Sequence, residues 1–102
     1  MKLLRHKYNS VKTEVEGRKF SSKKEAAEFC RLKKLKEDGK VHLILRQVPI
    51  DLLGGAIYRV DFLVFYTDGT AEFRECKGFK TPVGELKIKL AQDLHNISIT
   101  VV

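Results

Sequence analysis

The alternation of apolar and polar residues divides the chain into a basic arm, a short hairpin, two helices and four longer strands. Residues 1–10 show no period and are expected to form the arm. Residues 11–20 are expected to form the hairpin, with its turn at Glu16-Gly17. Ser21 and Ser22 then begin a helix that runs to about Asp38. Its apolar side is expected to consist of Ala26, Phe29, Cys30, Leu32 and Leu35.

The remaining pattern predicts three strands, a second helix and a last strand. The first strand spans about residues 41–52 and is interrupted or ended near Pro49, and a central hairpin follows at about 57–77. Thr81 as N-cap and Pro82 in the first turn begin the second helix, and residues 96–102 form the last strand. The apolar stripe of this helix is expected at Val83, Leu86, Leu90 and Leu94.

This order, helix–three strands–helix–strand behind a short hairpin, predicts an α/β (α+β) fold in one domain of 102 residues. Residues 21–102 form its core. The helix between the last two strands implies a crossover connection, so the central sheet is expected to be mixed.

The central hairpin reads DFLVFYTDGTAEFRECK and places charges within an apolar run. Such charges are usually paired or bind something. A two-residue turn at Asp68-Gly69 would leave Asp61 and Glu75 on different faces. A three-residue loop, with Gly69 in the left-handed conformation, would place Asp61 opposite Glu75, and this register is the one we predict.

Composition favours a polyanionic partner. Twenty Lys and Arg against thirteen Asp and Glu give a formal net charge of +7. Nucleic acid is the first interpretation, an anionic membrane surface the second, and a lysine-rich solvated surface the alternative that requires no partner. No apolar run reaches the length of a membrane span or a signal peptide, and the two cysteines form no CxxC pair, so a cytoplasmic protein is expected.

Two carboxylates that meet at a strand end are typical of a site for a hard divalent cation such as Mg²⁺. A metal and a nearby lysine together suit hydrolysis of a phosphodiester. The main-chain carbonyl of Cys76 is a further candidate metal ligand, while the Cys76 side chain is expected to pack away from the acidic face.

Asp61 followed by Glu75-x-Lys77 after a hairpin resembles the signature of the PD-(D/E)xK nuclease superfamily. Three stretches, KTEVEGRKFSSKKEAAEF, VDF and ECKGFKTP, resemble a family of small phage-encoded endonuclease-like proteins, and the likeness spans nearly the whole chain. Val60 departs from the proline that commonly precedes the motif aspartate.

The resemblance implies a restriction-endonuclease-like core and a metal-dependent DNA endonuclease that uses Mg²⁺, for which Mn²⁺ would substitute. It assigns Asp61 and Glu75 as metal ligands, Lys77 as the catalytic lysine and Glu25 as the acidic residue of the first helix. Glu25 has a structural alternative, since Ser22 and Glu25 have the spacing of a capping box. The metal interpretation takes Ser21 as the N-cap, and Glu28 is the fallback on the same helix.

Four lysines are candidates for contacts to DNA phosphates, although a solvated surface would explain them equally well: Lys24, Lys80, Lys87 and Lys89. Recognition by backbone charge and DNA shape, with nicking or junction cleavage, is the leading hypothesis. A double-strand cut would require a homodimer. The alternatives are a non-catalytic DNA-binding subunit of a recombination or packaging complex, and a small basic protein that binds RNA.

Overall fold

The structure is a computed structural model that describes residues 13–76 and 81–102. Its elements follow the predicted order. They are β1 (Thr13–Val15), β2 (Arg18–Phe20), α1 (Lys23–Glu37), β3 (Val41–Asp51), β4 (Ile57–Tyr66), β5 (Ala71–Glu75), α2 (Pro82–His95) and β6 (Ile99–Val101), with a 3₁₀ turn at Leu53–Gly55 between β3 and β4.

The strands form two sheets. β1 and β2 pair as an antiparallel hairpin, and Glu16 and Gly17 at its turn both have positive φ angles, 52° and 75°. The second sheet has the order β3-β4-β5-β6, in which the first three strands are antiparallel and β6 runs parallel to β5. The α+β class, the element order and the mixed sheet are thus confirmed.

The central hairpin has the three-residue loop that the sequence predicted. The Tyr66 N–H donates to the Thr70 carbonyl (2.8 Å), and the Gly69 N–H donates to the Tyr66 carbonyl (3.1 Å). Gly69 has a φ angle of 92°, which favours glycine because it has no Cβ. In the resulting register Phe62 lies opposite Arg74 and Phe65 opposite Ala71.

Two apolar clusters hold the helices on the sheet. In the first, α1 packs Phe29 and Leu32 against Phe62 and Val64 of β4. In the second, α2 packs against β4 and the end of β3. Its buried members are Ile50, Leu52, Tyr58, Val60, Ile88, Ala91 and Ile99. β4 contributes to both clusters, so its residues are fixed from both helices.

Two predicted apolar stripes were partly wrong. On α1, Cys30 is exposed, while Ala26, Phe29 and Leu32 are buried and Leu35 is partly buried. On α2, the buried residues are Ile88 and Ala91, and Leu90 is partly buried. Val83, Leu86 and Leu94 are 63%, 55% and 46% exposed. The helical spacing of the apolar residues was predicted correctly, but the face of α2 that packs on the sheet is adjacent to the predicted face.

The predicted span of the first strand, about 41–52, is close to that of β3, and only the alternative of an end at Pro49 is wrong. β3 continues to Asp51 with Pro49 opposite Arg59. β3 is an edge strand, where a proline that lacks an N–H is tolerated. Asn96 does not begin the last strand. It is the left-handed C-cap of α2, with a φ angle of 53°, and β6 begins at Ile99.

The helix starts are closer to expectation. Thr81 is the N-cap of α2, and its Oγ1 accepts a hydrogen bond from the Gly84 N–H at 3.0 Å. Neither helix is long and apolar enough to cross a membrane, in the part of the chain that the structure describes.

The register of the hairpin should depend on the backbone freedom of Gly69. We expect Gly69→Val to reduce the free energy of unfolding by about 2 kcal/mol, because a β-branched residue is strained at positive φ. Gly69→Asn should cost about half as much. Urea denaturation measures both. Ala71→Val is the control, since it also creates a valine, at an exposed strand position, and should change stability little. Equal effects of the two valines would contradict this role of Gly69.

Candidate metal centre

The main-chain pairing of β4 with β5 stops before Asp61 and Glu75. There the side chains of these two residues accept the hydrogen bonds that connect the chain segments. The paired register of the two strands ends with Phe62 opposite Arg74. Beyond it, the Asp61 N–H donates to Oε1 of Glu75 (3.1 Å), and the Cys76 N–H donates to Oδ2 of Asp61 (2.8 Å). Each carboxylate therefore accepts an N–H group from the neighbouring strand. The structure brings Asp61 and Glu75 together, as the predicted register required.

Glu75 is also hydrogen-bonded to the segment of β6, its neighbour on the other side in the sheet. Its carbonyl accepts a hydrogen bond from the Val102 N–H (2.9 Å), and Glu75 lies opposite Val101 in the parallel pair. Its side chain is 6% exposed. The main chain of Glu75 is thus held by β6, and its carboxylate is held by the Asp61 N–H of β4.

Glu25 reaches this region from the first turn of α1. Ser22 is the N-cap, and its Oγ accepts a hydrogen bond from the Glu25 N–H at 3.1 Å. The expectation that Ser21 would be the N-cap is wrong. Ser21 instead donates its N–H (3.1 Å) and its hydroxyl (2.8 Å) to Oε1 of Glu25. One oxygen of Glu25 stabilises the helix start, and the other is directed elsewhere.

Gln47 of β3 joins Glu25 to Asp61. Its Nε2 donates to Oε2 of Glu25 (2.9 Å) and to Oδ1 of Asp61 (3.1 Å). The sequence did not identify Gln47 as a site residue. It faces Asp61 only because of the register between β3 and β4, and the loop through Gly54-Gly55 gives no signal for that register.

The cluster of Asp61, Glu75 and Glu25 is electrostatically unfavourable because its carboxylates are buried. Glu25 is 2% exposed. Burial of Asp61, together with the charges of Glu75 and Glu25, raises the pKa of Asp61 from its ordinary value of 3.8 to about 7, although the hydrogen bonds from Cys76 and Gln47 lower it in part. Arg46 provides some compensation, because its Nη2 lies 3.9 Å from Oε2 of Glu25 while its guanidinium stacks 3.9 Å from the Phe20 ring centroid.

Two further side chains border the carboxylates. Tyr58 is 6% exposed, and burial followed by the Glu75 charge raises its pKa. Cys76 is partly buried against the α1 cluster, and burial followed by the Asp61 charge raises the pKa of its thiol to about 12. The cysteine side chain is packed, as expected.

Glu28, the fallback for Glu25, belongs to a different network. It accepts hydrogen bonds from Arg31 and, at 2.8 Å, from Arg74 Nε. Despite burial, these bonds and the two positive charges lower its pKa. Arg74 also donates to Glu72 (3.0 Å), which accepts from Tyr66 and Thr100 as well. Glu28 is therefore paired with two arginines, whereas the contact from α1 to Asp61 runs from Glu25 through Gln47.

The basic residues are only partly described. Lys24 lies beside Glu25 on α1, and Lys87 and Lys89 are on α2, all with exposed side chains. Lys77 and Lys80 lie outside the described residues.

Carboxylate oxygens are the ligands that Mg²⁺ prefers, and a divalent cation would relieve the repulsion among Asp61, Glu75 and Glu25. The chemistry of this donor set therefore fits such an ion. Across residues 13–76 and 81–102, however, no group of three or more His, Cys, Asp or Glu side chains is arranged to hold a metal. In this structure Oε2 of Glu25 and Oδ1 of Asp61 both accept a hydrogen bond from the Gln47 amide.

Comparison with known proteins gives one finding. A family model described as a protein of unknown function matches residues 5–100. No match was found among curated proteins or among solved structures.

The raised pKa of Asp61 should make the metal-free protein less stable as the pH rises from about 4 to about 7. Between its unfolded value of 3.8 and its folded value of about 7, the folded state binds more protons at this group than the unfolded state does, so stability falls through this window. Urea denaturation in EDTA measures this trend. Asp61→Asn should flatten it, while Asp68→Asn, an exposed loop control whose pKa is lowered, should leave it intact. An Asp61→Asn variant with the same pH trend as wild type over this window would contradict the raised pKa of Asp61.

Proposed function

The chain belongs to this family, DUF1064, and we propose that it is a divalent-metal-dependent DNA endonuclease of the PD-(D/E)xK type. One observation carries the proposal. Asp61 and Glu75 converge where β4 and β5 separate, with Glu25 linked to them through Gln47. Structural ion pairs do not account for this, because carboxylates of like charge are brought together at the cost of a raised pKa.

The element order supports the same interpretation. α1, the strands β3 to β5, α2 and β6 follow the helix–three strands–helix–strand order of the superfamily core that the motif resembles. Asp61 lies on β4, and Glu75 ends β5, two residues before Lys77. The motif residues thus come from two neighbouring strands, with Glu25 supplied by the helix before them.

Asp61, Glu75 and Glu25 would hold Mg²⁺ or Mn²⁺, with the Cys76 carbonyl as a further candidate ligand. The bound ion would lower the pKa of a water and offset charge on the phosphate. The protein fixes the acidic side chains in advance: Cys76 orients Asp61, the Asp61 N–H orients Glu75, and Ser21 orients Glu25. Lys77 would stabilise the negative charge that develops on the phosphate.

The net charge of +7 suits a DNA backbone as the partner. Lys24, Lys80, Lys87 and Lys89 are the candidate phosphate contacts. We propose recognition by backbone charge and DNA shape, for example at a branch or junction. A single site cuts one strand, so a monomer would nick and a homodimer would be required for paired cuts.

Cleavage assays on nicked, linear, supercoiled and four-way-junction DNA test the proposal. Wild type should cut at least one substrate in Mg²⁺ or Mn²⁺ and none in EDTA. Asp61→Asn, Glu75→Gln and Lys77→Ala should each lose about 100-fold or more in rate, since each removes a ligand or charge at the reacting phosphate.

Asp68→Asn is the matched control for Asp61→Asn, because Asp68 lies in the exposed loop of the same hairpin. It should cleave at the wild-type rate. Salt-sensitive DNA binding by wild type without cleavage in either metal would instead support the non-catalytic DNA-binding subunit. Preference for RNA with no cleavage would support the RNA-binding alternative.

A further inference from the structure

Gln47 has an unusual backbone for its position. Its φ angle is 52° in the middle of β3, where residues are normally extended. A non-glycine residue at positive φ is uncommon, and such strain persists where the surroundings impose it. The neighbouring pairs keep one register, with Arg46 opposite Phe62 and Val48 opposite Val60. The distortion is therefore local and changes the direction of one side chain.

That side chain ends where two carboxylates converge. Glu25 directs Oε1 to Ser21, and Asp61 directs Oδ2 to the Cys76 N–H. The second oxygen of each carboxylate, Oε2 of Glu25 and Oδ1 of Asp61, accepts from the same atom, Nε2 of Gln47, at 2.9 and 3.1 Å. An amide nitrogen with two N–H donors is the neutral group that can satisfy both oxygens at once.

We infer that Gln47 competes with the divalent cation, so that its amide sets the metal concentration at which the site fills. This inference rests on the proposed function. The two oxygens point to a single position, which the amide nitrogen of Gln47 occupies in this structure. An N–H donor cannot face a cation, so metal binding to Glu25 and Asp61 must break both hydrogen bonds of Gln47.

The surroundings allow Gln47 to leave. Gln47 is exposed, whereas Glu25 is 2% exposed, so the amide lies on the solvent side of the acidic pair. Arg46, the neighbouring cationic side chain, is less free to move, because it donates to the Lys19 carbonyl at 3.0 Å and stacks on Phe20. Release of Gln47 therefore opens the carboxylates without disturbing the core.

Binding of Mn²⁺ to the metal-free protein without DNA, followed by electron paramagnetic resonance of free Mn²⁺, tests the inference. Gln47→Ala removes the competing amide and leaves the repulsion between the carboxylates uncompensated. The Mn²⁺ dissociation constant should therefore fall by about tenfold or more, because metal binding no longer has to break two charge-assisted hydrogen bonds. Gln47→Gly also removes the amide but relieves the strain at positive φ. Equal tightening in both variants would assign the effect to the amide.

The metal dependence of cleavage gives a second readout. The Mg²⁺ concentration for half-maximal rate should fall in Gln47→Ala, because the cation no longer competes with the amide for Glu25 and Asp61. If wild type binds Mn²⁺, Asp61→Asn weakens that binding and Gln47→Ala binds no more tightly than wild type, the inference is wrong and the proposed function stands. Absence of Mn²⁺ binding by wild type and by both Gln47 variants would overturn both.

Discussion

The exchange of ladder hydrogen bonds for carboxylate hydrogen bonds between β4 and β5 is the constraint on which the site depends. A buried carboxylate is costly unless donors satisfy it, and main-chain N–H groups of adjacent strands are available only where the ladder opens. Asp61 and Glu75 each use one such group. Where the ladder is open, main-chain N–H groups donate to the two carboxylates, and the carboxylates satisfy N–H groups that would otherwise lack an acceptor. Gly69 makes this arrangement possible from the other end of the hairpin, because its loop fixes which residues are opposed.

Two acidic groups in this small protein show opposite electrostatics. Glu28 and Glu72 share Arg74. Despite burial, hydrogen bonds from Arg31 and Arg74 lower the pKa of Glu28, and hydrogen bonds from Tyr66, Arg74 and Thr100 lower the pKa of Glu72. Asp61 lies among Glu25 and Glu75, and its pKa is raised. The first group is compensated within the protein and has the character of structural support. The second leaves negative charge without full compensation, which is the condition that an external cation would relieve. The difference between Glu25 and Glu28, one helical turn apart, comes from which strand each side chain meets.

Local signals in the sequence were enough for the element order and for half of the site. The spacing of Thr67-Asp68-Gly69 determined the hairpin loop and hence the meeting of Asp61 with Glu75. Ser22 and Glu25 indicated the helix start, but the link from Glu25 to Asp61 depends on how α1 packs on the sheet. Gln47 could not have been found, because its role depends on a register between strands that a glycine-containing loop joins. The stripe on α2 was misplaced for a related reason: Val83, Leu86 and Leu94 have helical spacing, but tertiary packing chose Ile88 and Ala91.

The parallel pairing of β5 with β6 has a consequence for the order of folding. Glu75 receives main-chain support from β6, and β6 can reach β5 only after α2 has crossed over the sheet. The β4–β5 hairpin is local in sequence and forms without that delay, whereas the parallel pair must first close the longer loop. During synthesis on the ribosome, the β4–β5 hairpin therefore forms before β6 can support Glu75. A nascent chain that has emerged only as far as α2 has both carboxylates in its sequence but lacks the strand that holds Glu75 in place.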